Sequence, residues 1–163
     1  MSVLNFFKKK QKKFPKIVVL YVSSELKKIL IAPQYVDESW IRFEQEEIEI
    51  LEFNCTDELL GESIKRNFDK FAKKNRENRK ITSRDWPAYQ ASKLRSMKEF
   101  ERKYFRISIN GANEANIIMV FEADMKSKNH INLTSSISAY AENKKLGYLA
   151  KKLHEIQINR IIE

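Results

Sequence analysis

Apolar residues in the first third of the chain occur in short runs that are typical of β-strands. The run 17–22 is continuous and β-branched, which favours a buried strand, and 27–32 predicts a second strand that stops at Pro33. Acidic and apolar residues alternate over 47–53, which predicts a strand whose acidic side chains face solvent. The preceding segment 1–16 carries six lysines and no acidic residue, so we expect a mobile basic arm there.

Helical periodicity marks two further segments. Apolar residues recur at helical spacing after Thr56, which predicts a central helix with Thr56 as its N-cap. A second apolar stripe over 142–158 predicts a closing helix. Ser96 and Glu99 have the spacing of a capping box and predict a short helix between the two.

The second half of the chain is also expected to contain three strands, at 104–109, 115–123 and 131–138. Asn110-Gly111 predicts a hairpin turn between the first two of them. Strands that come in hairpin-linked groups, rather than alternating with helices, indicate an α+β fold. We therefore predict a single domain over 1–163, with a mostly antiparallel sheet packed against a central helix, a C-terminal helix and short helices.

The charge is positive overall but unevenly distributed. The formal net charge is +9, yet 37–62 contains ten acidic residues against Arg42 alone. Carboxylates around Trp40 and Phe43 suit a cationic protein partner, because charge steers the encounter and a buried aromatic side chain anchors it. The candidate partner-binding residues are Asp37, Glu38, Trp40, Phe43, Glu44, Glu46 and Glu47.

The basic stretch 65–84 supports an alternative hypothesis. It holds nine cationic residues against two acidic ones and leads to Trp86 and Tyr89, whose rings could stack on bases while the cations neutralise phosphates. The alternative nucleic-acid surface comprises Lys73, Lys74, Arg76, Arg79 and Lys80. The simpler interpretation is a solvated helix end and loop whose lysines balance the acidic block.

No residue set supports catalysis or cofactor binding. His130 falls in a polar turn and His154 on the closing helix, and both are interpreted as turn or surface residues rather than as catalytic bases. Cys55 precedes a helix N-terminus, but a lone cysteine is more typical of a small buried hydrophobic residue than of a reactive or metal-binding thiolate. We expect a protein that is not an enzyme and has no metal, cofactor or small-molecule substrate.

The same features bear on the compartment. A single cysteine provides no disulfide framework, and no apolar signal segment follows the early lysines. The longest apolar run, 17–22, is too short to cross a bilayer. The expectation is a cytoplasmic protein with no membrane partner.

Several segments of the second half resemble the contact-dependent growth inhibition immunity proteins, the CdiI family. They are Trp86-Pro-Ala-Tyr-Gln-Ala-Ser-Lys93, Ser96 with Phe100 and Tyr104, Gly111-Ala-Asn-Glu-Ala-Asn116, and Leu133-Thr-Ser-Ser-Ile-Ser138 with Leu146-Gly147. The resemblance covers about 84–150. It implies a small cytoplasmic α+β protein that binds the C-terminal toxin domain of a cognate CdiA effector one-to-one and blocks the toxin, which is often a nuclease.

The resemblance also implies which residues maintain the scaffold. These are Trp86, Tyr89, Ser92, Lys93, Phe100 and Gly111. Contacts with the toxin are expected elsewhere, either on the acidic block around Trp40 or on the basic loop that precedes Trp86. Nucleic acid is a partner only under the alternative hypothesis.

Overall fold

The computed structural model describes residues 15–75, 82, 85–111, 116–121, 133–138 and 142–161. Its strands are β1 (Lys16–Ser23), β2 (Lys28–Val36), β3 (Arg42–Glu44), β4 (Glu49–Glu52), β5 (Ala72–Lys73), β6 (Phe105–Gly111), β7 (Asn116–Phe121) and β8 (Leu133–Ser138). Its helices are α1 (Asp57–Asp69), α2 (Pro87–Ser92), α3 (Met97–Lys103) and α4 (Asn143–Ile161). The α+β prediction is confirmed.

The strands form one sheet in the order β3-β2-β1-β6-β7-β8, and all neighbours along this path are antiparallel. Strand β2 is shared between several partners. Its first half pairs with β1 and β4, and its last residues pair with β3 and, in parallel, with β5. The chain leaves β2 at Val36 and returns as β3 at Arg42, so residues 37–41 form the connecting loop.

Alternate residues of β1 belong to two hydrophobic clusters on opposite sides of the strand. Val18, Leu20 and Val22 pack with residues of α1 and α4, whereas Ile17 and Val19 pack with residues of α2 and α3. A strand that is buried on both sides has no solvent-facing positions, which explains why its apolar run is continuous rather than alternating.

The predicted caps are present at two helices. The Thr56 hydroxyl accepts a hydrogen bond from the Leu59 backbone N at 3.2 Å, and the Ser96 hydroxyl accepts one from Glu99 N at 3.2 Å. Each cap satisfies one backbone N–H that has no partner within its helix. These local signals therefore place the starts of α1 and α3 correctly.

Two predicted boundaries are wrong because pairing between strands overrides local preference. Strand β2 continues through Pro33, which is the last β2 residue paired with β1 and whose carbonyl accepts a hydrogen bond from Gln45 N at 2.8 Å. Asn110-Gly111 is not a turn, because both residues lie in β6 and pair with β1 on one side and β7 on the other.

The strand predicted over 47–53 is β4, but its acidic residues do not all face solvent. Glu49 points toward α1 and accepts hydrogen bonds from Ser63, Arg66 and Asn67 at 2.8, 2.5 and 2.5 Å, while the neighbouring Ile50 is exposed. Burial opposes ionisation of Glu49, but these donors outweigh it and hold the pKa of the carboxyl below its ordinary value. Glu49 thus joins β4 to α1.

Helices α1 and α4 cross at two glycines. Gly61 of α1 lies beside the backbone of Asn143, and Gly147 of α4 lies beside the backbone of Asp57. Since each glycine meets the first residue of the other helix, the two helices run in opposite directions.

Helix α4, the longest helix among the described residues, has its apolar residues on one side. Within the described residues, no helix is long and apolar enough to span a bilayer.

Candidate partner-binding surface

The loop between β2 and β3, residues 37–41, is organised by Asp37. Its Oδ1 atom accepts hydrogen bonds from the backbone N atoms of Ser39 and Ile41, at 2.8 and 2.9 Å. Two backbone bonds close the loop further, from Asp37 N to Ile41 O and from Trp40 N to Asp37 O. With a relative exposure of 8%, Asp37 directs its carboxylate into the loop rather than toward a partner.

The loop presents two large apolar side chains to solvent. Trp40 and Ile41 are 48% and 50% exposed, whereas Phe43 is half-buried and packs against Tyr35 with ring centroids 5.4 Å apart. Trp40 has a φ of 66°, in the left-handed region that large side chains rarely occupy. This conformation costs on the order of 1 kcal/mol, and such strain is found most often at functional sites.

The exposed carboxylates near this loop are paired with lysines. Each lies within salt-bridge distance of a cation from the end of α1 or from the segment that follows it. The pairs are Glu38–Lys73 at 3.2 Å, Glu46–Lys74 at 2.6 Å and Glu47–Lys70 at 3.9 Å. Exposed pairs contribute little to stability, but they cancel much of the negative field expected from the sequence.

Glu44 lies inside the fold. Its Oε1 accepts a hydrogen bond from the Tyr21 hydroxyl and its Oε2 accepts one from the Ala88 backbone N, both at 2.7 Å. Burial raises the pKa of Glu44, although these two bonds and the charge on Arg106 lower it in part. Burial likewise raises the pKa of Tyr21 far above its ordinary value. Glu44 therefore connects β1, β3 and the start of α2.

Glu44→Gln is expected to lower the free energy of unfolding by about 1–2 kcal/mol, because one amide oxygen cannot replace both acceptors. Glu47→Gln is the matched control, since that side chain is 90% exposed, and should change stability by less than about 0.5 kcal/mol. Urea denaturation measures both. Equal effects of the two substitutions would show that the Glu44 contacts do not hold α2 in place.

The residues expected to maintain the scaffold surround α2 and α3. Phe100 is buried and contacts the ring of Tyr89 at a centroid distance of 5.8 Å. The Ser92 hydroxyl donates to Tyr89 O and accepts from Leu94 N, and Lys93 ends α2 with a φ of 57°. Trp86 precedes α2 and is 44% exposed.

Gly111, the last of this set, is buried at the end of β6 and pairs with Ile117. Phe100 and Gly111 are buried, whereas Trp86 and Lys93 are exposed. The scaffold role of this set, and its separation from the partner-binding residues, stays a prediction.

The alternative basic surface is described only in part. Lys73 and Lys74 form the ion pairs given above, and the Lys74 Nζ atom also lies 4.5 Å from the centroid of the Tyr35 ring. The remaining members, Arg76, Arg79 and Lys80, lie outside the described residues. The structure therefore brings the first two cations of this surface together with the acidic candidates, as the charge-balance interpretation expects.

The interpretation of His154 as a surface residue is wrong. Its side chain is fully buried on α4, with ring centroids 5.6 Å from Phe53 and 5.2 Å from Phe105. Neither ring nitrogen has a hydrogen-bond partner among the described residues, and burial lowers the pKa of His154 to about 4. The sequence contained a signal, because His154 follows Ala150 by four residues and so shares its buried face.

The environment of Cys55 is consistent with a structural role. Cys55 is partly buried against the core, and burial raises the pKa of its thiol, which opposes thiolate formation. His130 lies outside the described residues. Across the described ranges, no group of histidine, cysteine or acidic residues is arranged to hold a metal ion.

Comparison with known proteins extends only to fold. No family model matches the chain, and no curated protein matches it. A protein of unknown function from Neisseria meningitidis is 9% identical, with a TM-score of 0.61 over 83% of this chain and 91% of the other. A chain of the CdiA-CT/CdiI toxin and immunity complex from Yersinia pseudotuberculosis is 10% identical, with a TM-score of 0.58 over 83% and 92%.

Proposed function

We propose that this chain is an immunity protein that binds the C-terminal toxin domain of a cognate CdiA effector and blocks the toxin's active site or its access to substrate. The observation that carries the proposal is the fold shared with a chain of a toxin and immunity complex over 83% of this chain. No family model matches the segments of 84–150 that resemble the CdiI family, so the proposal stands on the shared fold.

An inhibitor of this kind needs a binding surface rather than a reaction centre. The described residues offer one at the loop 37–41, where large apolar side chains are exposed beside charges of both signs. We propose that this region contacts the toxin, that the toxin is a nuclease and that the complex forms in the cytoplasm of the producing cell.

The experiment is a titration with the cognate toxin domain, which is to be sought in an open reading frame directly upstream of this chain's gene. A one-to-one complex with a Kd of about 10 nM or tighter is expected, with toxin activity lost in proportion to the inhibitor added. A toxin domain from an unrelated effector is the control and should not bind. Absence of a complex at about 10 μM of each protein would overturn the proposal.

A mobility-shift assay with RNA and DNA separates this function from the nucleic-acid alternative. Free protein is expected to produce no shift at moderate salt, since Lys73 and Lys74 are engaged by Glu38 and Glu46. A shift whose affinity falls steeply with salt concentration would favour the alternative instead.

A further inference from the structure

We infer that the loop 37–41 anchors the interface, that Asp37 is its positioning residue, and that the loop fits an apolar pocket rimmed by charges of both signs on a folded protein domain. The identity of that domain rests on the proposed function. The expected partner surface therefore carries charges of both signs rather than only positive charge.

The backbone of Trp40 is in the left-handed region. The described non-glycine residues with positive φ are Lys27, Trp40 and Lys93, and Trp40 alone among them is a large apolar residue. Glycine or asparagine would occupy this conformation with less strain. A tryptophan that keeps a strained conformation with half its surface in solvent is suited to anchor a contact with a partner.

Asp37 holds the loop in this conformation. Its carboxylate oxygen bonds the backbone N atoms on both sides of Trp40, those of Ser39 and Ile41. These bonds fix the loop before a partner arrives, so less conformational entropy is lost on binding. Asp37 thus acts through Trp40 and Ile41 rather than through its own charge.

The charges around the loop are of both signs. Glu38, Glu46 and Glu47 are each paired with a lysine, so the surface has alternating signs rather than a single negative field. A partner pocket whose rim carries both positive and negative charges complements such a surface. Affinity then depends on the burial of Trp40 and Ile41 away from water. Ile41 also favours a protein pocket over a nucleic acid, because its side chain has no aromatic face on which a base could stack.

The binding test compares two tryptophans of similar exposure in the complex with the cognate toxin domain. Trp40→Ala should weaken binding by at least about 30-fold, mainly through faster dissociation. Trp86→Ala is the matched control, because Trp86 is 44% exposed and has a negative φ of −120°, and it should change Kd by less than about threefold. The association rate should vary by less than about threefold between about 50 and 300 mM salt.

A double-mutant cycle tests the positioning role. Asp37→Ala should weaken binding by about tenfold, and Asp37→Asn should retain most of the affinity because its amide oxygen can accept both bonds. In a Trp40→Ala background, Asp37→Ala should have little further effect on Kd. Additive losses would contradict positioning through Trp40.

The role of Trp40 can also be tested in the absence of a partner, by measuring the thermal stability of a Trp40 variant. Trp40→Gly should leave Tm within about 3 °C of the wild type or raise it, because relief of the left-handed strain offsets the lost side-chain contacts. A fall of more than about 5 °C would indicate that Trp40 is retained for packing, and would overturn the inference.

The failures of the two proposals are distinguishable. A wild-type complex that is insensitive to Trp40→Ala, or whose association rate falls steeply with salt, overturns the anchor and leaves the immunity function standing. A wild-type protein that forms no complex with the toxin domain overturns the immunity function itself.

Discussion

Gly147→Ala is expected to lower the free energy of unfolding by at least about 3 kcal/mol, or to prevent folding altogether. A Cβ atom at this position would lie 2.0 Å from the backbone oxygen of Asp57, and one at Gly61 would lie 1.8 Å from that of Asn143. Both obstacles are backbone atoms at the starts of helices, so no side chain can rotate away. The helices would have to separate, which would open the packing of Leu60, Ile64 and Leu146 in the core.

The sign of the stability change caused by Gly147→Ala shows whether the contact between the helices or the intrinsic helix propensity dominates. Alanine is favoured over glycine inside a helix by about 1 kcal/mol, so an isolated α4 would gain stability from the substitution. Glu62→Ala is the control, because Glu62 is exposed next to Gly61 and should change stability by less than about 0.5 kcal/mol. Urea denaturation followed by circular dichroism measures both variants. A Gly147→Ala protein as stable as the wild type would show that the helices are not in close contact.

The main elements of the fold are predictable from sequence because their signals are local. A β-branched run gives β1, hydroxyl caps at Thr56 and Ser96 give two helix starts, and apolar periodicity gives α1 and α4. The errors at Pro33 and at Asn110-Gly111 share one cause. Both positions are decided by neighbouring strands that are distant in sequence, and pairing there outweighs turn and strand-end preference.

The candidate surface was less predictable, because its properties depend on pairs of residues that are distant in sequence. Composition identified the acids at 37–47 and the lysines after α1 as separate blocks, but only the fold shows Glu46 beside Lys74. The inward direction of Glu44 depends on Tyr21 and Ala88, which lie 23 and 44 positions away. The left-handed backbone at Trp40 has no sequence signal, because glycine or asparagine would be expected there.

Stability is expected to fall by about 2 kcal/mol between pH 7.5 and pH 5 on account of His154 alone. The pKa of His154 is lowered from its ordinary value of 6.5 to about 4 by burial, with a small opposing effect from the charge of Glu155. As the pH falls below 6.5, the unfolded chain therefore takes up a proton that the folded chain does not. Stability is unaffected above about pH 7.5, declines through this window and levels off near pH 4, after a total loss of about 3 kcal/mol.

His154→Met removes the titrating group and supplies an apolar side chain that suits the space between Phe53 and Phe105. The variant should match or exceed the wild-type stability at pH 7.5, since two buried nitrogen atoms without described partners are removed. Its stability should then be nearly constant from pH 7.5 to 5. At each pH, the free energy of unfolding of the variant is subtracted from that of the wild type. The carboxylates that titrate at lower pH contribute equally to both proteins, so their effect cancels in this difference. Parallel curves would contradict the assignment, because the decline would then belong to other groups. In that case the imidazole resonances assigned to His154 would titrate near pH 6.5 rather than near 4.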